Sequence, residues 1–423
     1  RVRIDADLTD NVSTTVRLLN ERNWNGESGT ADQANRNIGF TANNATEEND
    51  IDLDLAYVTL KEFLYSPLSL SIGRQELRFG NGLIVGDPDT NIYSAATNLA
   101  EGDLSARKSF DAVRATLDYN PLVLDAVYAK IEEGANNLND DVTLAGINAS
   151  YALDKNTTLE GYFFSKVKGS NAAAVTNYDT NAASYTVNTL NTLNALNKQS
   201  SDKVNTLGAR VVNKAIKNLA VDLQAAYQLG TYNPKFDTNA AAPDLVSKSQ
   251  TAGRKAWAAQ VEATYDLKDV AMLSKYSPVV AVNYTALSGA DREEVGNEDY
   301  KGWDPVFEDQ TYGHLLNAIM ANTNMHRFTL SGKAKLTDDL AMKLDYTGAW
   351  LQKKHLEGRE TNLSGVSGGR GYRMGDEKYL GQEIDAALVY DYTEDVQFSL
   401  LGGVFMPGKN INAGPSLAAG AVR

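Results

Sequence analysis

The 423-residue chain contains no cysteine, which excludes disulfides, cysteine-bound zinc, iron–sulfur clusters and thiol nucleophiles together. It has only three histidines. His314 and His355 fall in expected loops, and His326 opens an expected strand with no serine motif nearby, so a hydrolytic triad is not expected. P-loop, HExxH and haem-attachment motifs are also missing, and the chain does not read as an enzyme. Positive charge is not in excess: the formal net charge is −14. Phosphate backbones are bound by clustered lysine and arginine, so no nucleic-acid partner is expected. Finally, no stretch approaches the run of about 18 apolar residues that a membrane-spanning helix requires.

That last absence leaves a membrane open. A barrel strand turns only every second residue towards lipid, so its mean hydropathy stays low, here −0.36, while its alternation is strong. What the chain does contain fits such strands: 21 tyrosines, 33 glycines and only 9 prolines. One unit recurs, an alternating strand, a short polar turn and a second alternating strand. The clearest case runs from Ile384-Asp385-Ala386-Ala387-Leu388-Val389-Tyr390 through Thr393-Glu394-Asp395 to Val396-Gln397-Phe398-Ser399-Leu400. The same grammar surrounds Thr9-Asp10-Asn11, Asp154-Lys155-Asn156, Ile216-Lys217-Asn218 and Thr337-Asp338-Asp339.

The pattern predicts about sixteen strands of a single domain over residues 1–423: 1–8, 12–24, 50–63, 69–80, 109–119, 122–133, 141–153, 157–168, 203–214, 219–232, 254–267, 278–288, 326–336, 340–353, 380–391 and 396–406. The fold class is all-β, a transmembrane antiparallel up-and-down β-barrel. Connections alternate between short turns and long loops near 25–49, 84–108, 170–202, 233–253, 289–325 and 354–379, the asymmetry of periplasmic turns and extracellular loops. Residues 268–277 are long for a turn and are expected to form a small plug at the inner mouth; the spacing over 186–196 allows a short helix. No signal peptide opens the chain at Arg1 and it ends on Ala-Val-Arg, so trimming at both ends is expected.

If the apolar face meets lipid, Leu219, Val221, Leu223 and Tyr227 point outwards and Asp222, Gln224 and Gln228 inwards. Likewise Leu340, Met342, Leu344, Tyr346 and Trp350 point outwards, with Lys343, Asp345 and Thr347 inwards, and Ile51, Leu53, Leu55 and Tyr57 outwards, with Asp50, Asp52 and Asp54 inwards. Tyr57, Tyr119, Tyr151, Tyr227, Tyr265, Tyr346 and Tyr390 fall on the apolar parity near strand ends, as an aromatic girdle requires. The expected lumen carries both signs of charge: Arg17, Glu21, Arg114, Asp118, Glu160, Lys166, Arg210, Asp222, Glu262, Lys333, Lys335, Lys343, Asp345 and Asp385. Facing acidic and basic rows either select small polar solutes or simply pair across neighbouring strands.

Several segments carry a family resemblance. They are Ile72-Gly73-Arg74-Gln75-Glu76-Leu77-Arg78-Phe79-Gly80, then Lys108-Ser109-Phe110-Asp111-Ala112-Val113-Arg114, then Trp303-Asp304-Pro305-Val306-Phe307, and last Leu380-Gly381-Gln382-Glu383-Ile384-Asp385 with Phe405-Met406-Pro407-Gly408. Their order and spacing resemble the alginate-export family of outer-membrane porins. The resemblance implies an 18-stranded barrel, one more strand at each end than the sixteen seen, in a Gram-negative outer membrane. It also implies basic lumenal residues that pass a polyanion, with Arg17, Arg74, Arg78, Arg114 and Arg210 as candidates here, interleaved with aspartate and glutamate. Arg74, Glu76 and Arg78 share the parity of Leu70 and Ile72, so a bulge at Gly73 is expected to turn them into the pore; the alternative is a salt-bridge ladder in the wall.

The resulting expectation is a passive porin: a water-filled channel without a cofactor, narrowed by an infolded loop at 84–108, that passes small hydrophilic or charged solutes. A structural or adhesion barrel with a plugged lumen and an exporter of an acidic polysaccharide are the competing readings. Asp291, Glu293, Glu294, Glu298 and Asp299 crowd one loop and read either as a solvated acidic surface or as a site for Ca²⁺, including Ca²⁺ bridged to lipopolysaccharide. Outer-membrane lipid is the expected surrounding.

Overall fold

The computed structural model describes residues 1–20, 51–88, 108–133, 141–169, 201–232, 252–290, 299–354, 372–374 and 377–413. Its strands are, in chain order, β1 (Val2–Thr9), β2 (Val12–Leu19), β3 (Asp52–Leu60), β4 (Leu68–Glu76), β5 (Ser109–Asp118), β6 (Leu122–Glu132), β7 (Val142–Asp154), β8 (Thr157–Lys168) and β9 (Asp202–Asn213). There follow β10 (Leu219–Tyr232), β11 (Ala252–Asp266), β12 (Val279–Leu287), β13 (Met325–Lys335), β14 (Leu340–Leu351), β15 (Tyr372–Met374), β16 (Tyr379–Asp391), β17 (Gln397–Pro407) and β18 (Ile411–Ala413). Sixteen of them form one antiparallel sheet in which each strand pairs with the next; β15 and β18 pair separately. The sixteen expected strands are all present, with ends displaced by several residues at most. β1 and β17 are the edges of the sheet, and the two further strands implied by the resemblance are not among the described residues.

A repeated local device ends the strands on the short-turn side. Asp118, Asp154, Asn213 and Asp266 close β5, β7, β9 and β11, and each side-chain oxygen accepts the backbone N–H two residues on, at 2.7–3.0 Å. An aspartate or asparagine in this position reverses the chain by supplying the acceptor that the ladder no longer provides.

The two faces differ as a membrane barrel requires. On β10, Leu223, Tyr227 and Leu229 are 44%, 42% and 48% exposed, whereas the interleaved Gln224 and Gln228 are 6% and 0% exposed. An exposed apolar face around a buried polar one inverts the ordinary soluble arrangement and needs lipid outside. Outward aromatics form two belts. Tyr119, Tyr151, Tyr265 and Tyr390 lie towards the short turns, and Tyr128, Tyr227, Trp257, Tyr284 and Trp350 lie towards the long connections. Along β11, Trp257 and Tyr265 are eight residues apart, about 26 Å of strand, or about 20 Å of depth at a tilt near 40°.

Two expectations are corrected. The pairing of β2 with β3 slips between Arg17 and Leu18, leaving Asp54 as an extra residue. Beyond this bulge the parity reverses, so Leu55 and Tyr57 share the inner face with Arg17 and Thr15 while Leu53 stays outside. Residues 268–277 do not plug the mouth. Leu267 N–H bonds to the Pro278 carbonyl, the segment between them contains a 3₁₀ turn at Ser274–Tyr276, and none of its residues is buried. Asp269 ties it sideways to Lys217 and Asn218 of the neighbouring turn. The helix expected over 186–196 lies outside the described residues.

Candidate functional site

Two connections turn into the barrel. Residues 77–88 follow β4, and residues 299–324 lead into β13. Leu77, Phe79, Leu83, Ile84 and Val85 from the first, with Trp303, Val306 and Phe307 from the second, share one buried cluster with the inward-facing Phe110, Ala112, Val127, Ala129, Phe164 and Val204. Burial of each large apolar side chain contributes about 1.5–3 kcal/mol. This is enough to draw a polar connection inwards with its apolar residues.

The two segments lock together through their backbones. Val85 and Phe307 form a parallel bridge; Phe307 N–H bonds to the Ile84 carbonyl at 3.0 Å, Gly86 N–H to the Phe307 carbonyl at 2.7 Å, and Asp309 N–H to the Gly82 carbonyl at 2.8 Å. Such proximity needs glycine. A Cβ on Gly86 would sit 2.5 Å from the Asp309 Cβ, and one on Gly82, whose φ is 82°, would sit 2.9 Å from the Asp309 carbonyl oxygen. Val306 is held at a φ of 59°, a strained state for a β-branched residue, and its N–H is fixed by Asp304 Oδ1 at 2.8 Å.

Ion pairs pin the interlock to the wall. Lys108 Nζ lies 2.9 Å from Asp87 Oδ2 and 2.6 Å from Asp309 Oδ1, and the Arg78 guanidinium also bonds to the Asp309 carboxylate. Burial pulls the Lys108 ammonium down, but Asp87 and Asp309 outweigh it and hold its pKa above the usual lysine value. Asp304 meets Lys166 Nζ at 3.0 Å and Arg254 Nη2 at 3.9 Å. Burial pushes its carboxyl up, yet Lys166 and Arg254 prevail and bring it down to about 2. Arg254 also reaches Asp202 at 3.0 Å and lies against Tyr232 and Tyr300, whose rings stack at 3.6 Å.

Further along the second segment, α1 (His314–Ile319) packs Leu316 and the following Met320 against Met325, Ala349, Leu351 and Leu380. Glu383 of β16 accepts the N–H groups of Leu315 and Leu316, both at 2.7 Å.

Most of the residues expected in the lumen face inwards, and most are already paired. Arg17 bonds to Asp54 at 2.6 Å and to Glu76. Arg114 meets Asp125 at 2.8 Å; Arg210 joins Glu160 at 3.1 Å and Asp222 at 2.7 Å. Glu262 accepts bonds from Asn283 at 3.1 Å and Tyr312 Oη at 3.2 Å. Lys333 stands directly opposite Lys343, which pairs with Asp345 at 2.7 Å, and Asp345 stands opposite Asp385. Lys335 is on the same inner face as Lys333, nearer the short turns. Asp118 serves the turn after β5.

Arg74 departs from expectation. The register runs through Gly73 without a slip, from Leu60 opposite Leu70 to Ala56 opposite Arg74, so Arg74 stays on the outer face with Ile72. There it pairs with Asp111 at 2.8 Å, beside Lys130. Glu76 nonetheless reaches Arg17, and Arg78 lies past the strand on the infolded segment. Glu21 and the acidic residues Asp291, Glu293, Glu294 and Glu298 lie outside the described residues; Asp299 pairs with Lys255 at 2.5 Å.

Of the infolding expected at 84–108, residues 84–88 turn inwards, as part of a segment that already begins at Leu77, and the rest of that range up to Lys108 lies outside the described residues. The second infolded segment was not expected. The sequence alone assigns no lumenal role to Asp87, Lys108, Asp202, Arg254, Asp304, Asp309 and Glu383. The available signal was apolar density: Leu83-Ile84-Val85 and Trp303 to Phe307 are too hydrophobic for connections exposed to water.

Comparison with known proteins gives a family and a set of structural likenesses. The profile described as alginate export matches residues 1–422. Among solved structures, Pseudomonas aeruginosa OccK8 (OprE) aligns over 96% of this chain and 87% of its own, at 11% identity and a TM-score of 0.49. P. aeruginosa OpdQ aligns over 97% and 86%, at 11% identity and 0.45, and OmpT, an outer membrane protein of Vibrio cholerae, over 96% and 88%, at 9% and 0.39. No curated protein matches significantly.

Proposed function

This chain belongs to the alginate export family and is a β-barrel channel protein of the bacterial outer membrane, and from that premise we propose that it is a passive porin for small hydrophilic or charged solutes. The observation that carries this reading is the interlock of 77–88 with 299–324. It narrows the lumen with two mutually anchored segments while leaving charged groups of both signs hydrated: Arg3, Asp5, Glu76, Arg78 and Lys343 keep about half of their side-chain surface exposed. Export of an acidic polysaccharide calls for a path of free cations. Here Arg3, Arg17, Arg78, Arg114, Arg210 and Arg254 each face a carboxylate within the same wall or loop, which favours small solutes over a polyanion. Lys203, set outwards near the long-connection rim, suits contact with the phosphates of lipopolysaccharide.

Planar-bilayer recording and liposome swelling test the proposal. Stepwise conductance and entry of neutral sugars are expected, and Arg210→Ala, which leaves Glu160 and Asp222 without their cation, is expected to shift the reversal potential towards cation selectivity. Absence of conductance steps from folded protein would favour a plugged barrel. Passage of uronic-acid oligomers in preference to neutral sugars of the same length would favour export.

A further inference from the structure

On the inner wall beside α1, three carboxylates meet with little to neutralise them. Asp345 of β14 stands directly opposite Asp385 of β16, and Glu383 lies two residues away on the same face. Glu383 and Asp385 are 0% and 2% exposed. Facing like charges in a sheet are destabilising, and burial increases the cost. The adjacent elements bring two cations to this face, Lys343, already paired with Asp345, and Lys333 of β13, which stands opposite Lys343; α1 adds His314, and β17 presents only Gly403 and Phe405.

A second observation points to a ligand. Asp345 Oδ1 and Asp385 Oδ1 are buried without a hydrogen-bond partner. Among the described residues no group of three or more carboxylates or histidines is arranged to hold a metal ion, whereas a proton shared between neighbouring carboxyls needs no such geometry. Glu383 meanwhile uses both oxygens on the N–H groups of Leu315 and Leu316, and Asp385 Oδ2 accepts His314 N–H at 3.4 Å. A proton added to Glu383 removes one of those two acceptors.

We infer that Glu383, crowded by Asp345 and Asp385, is a proton-binding site that latches α1 to the lumen wall and releases it as a proton is taken up. The carboxylate state of Glu383 holds the first turn of α1. Asp385 and Asp345 make protonation of the cluster easier, and Lys343 opposes it. The proposal stands apart from which solute the barrel passes.

The absence of cysteine makes the test direct. Leu315, 40% exposed, is changed to Cys and carries a nitroxide whose spectrum is read in lipid vesicles from about pH 8 to about pH 4, without any need for conduction. The label is expected to be immobilised at high pH and to gain a mobile component as the pH falls. Asp385→Asn is expected to move the midpoint down by roughly one pH unit and Lys343→Gln to move it up. Glu383→Gln is expected to be mobile throughout, and His314→Gln to leave the midpoint in place. Retained strand content by circular dichroism checks that each variant is folded, and the two opposite midpoint shifts separate the latch from a loss of structure. A wild-type spectrum that does not change with pH, or a midpoint that follows His314 and ignores Asp385, would overturn the inference.

Discussion

Asp304 offers the sharpest quantitative test of the interlock. Its carboxyl is brought down to about 2, well below the ordinary value of 3.8. At about 1.4 kcal/mol per unit, the ionised form gains roughly 2 kcal/mol from its partners, chiefly Lys166 and Arg254. Asp304→Asn keeps the shape and removes the charge, so docking of 299–324 should weaken by about 2 kcal/mol, roughly thirty-fold in the equilibrium between docked and released segment. Ser288 is a suitable reporter: it is buried, and its carbonyl accepts Trp303 N–H at 2.9 Å. In a chain without other thiols, Ser288→Cys reacts with a maleimide only when the segment lifts, and Asp304→Asn should accelerate that reaction by roughly thirty-fold. The pH dependence has a definite sign. Because the folded carboxyl lies below its ordinary value, its contribution is complete above about pH 4 and is lost as the pH falls through about 2. An acceleration of less than about threefold would show that the apolar contacts of Trp303 and Phe307 hold the segment and that the ion pairs add little.

The glycine at the interlock and the lipid-facing wall supply further tests. Gly86→Ala places a Cβ 2.5 Å from the Asp309 Cβ; the two segments should separate at a cost of about 1–3 kcal/mol, visible as increased open-channel noise and a lower melting temperature, and wild-type values would refute the close approach. Leu223→Arg puts a charge midway between the aromatic belts on the outer face and should lower folding stability in vesicles by about 2–4 kcal/mol, measured by urea titration; a neutral effect would mean that this face does not meet lipid.

The strands were legible because alternation is local. Leu223 and Gln224 declare opposite faces from their neighbours alone, and each hairpin sets its register from a turn of a few residues, as at Asp154 to Thr157. Where one residue is inserted, as at Asp54, the same logic fails from that point on, and nothing in Asp52-Leu53-Asp54-Leu55 marks the bulge in advance. Gly73 shows the converse. It looks like a bulge, yet its backbone only brings β4 close to Ala56, and Arg74 beyond it keeps its parity.

The constriction was less legible for a different reason. Arg78 and Asp309 are 231 residues apart, and neither lies in an alternating run that would give its direction. Paired charges in the two segments look like solvated loops until the apolar residues beside them are counted. Leu83, Ile84 and Val85 cannot remain in water at about 1.5–3 kcal/mol each, and the inward face of a polar barrel offers few places to bury them. Phe110, Ala112, Val127 and Phe164 make such a place on β5, β6 and β8, an apolar inner patch where a water-filled pore would have polar residues. An apolar run in a long loop and an apolar patch on the lumenal parity therefore imply each other. Together they locate an infolded segment, although the charge pairs that fix its position emerge only once the two segments are brought side by side.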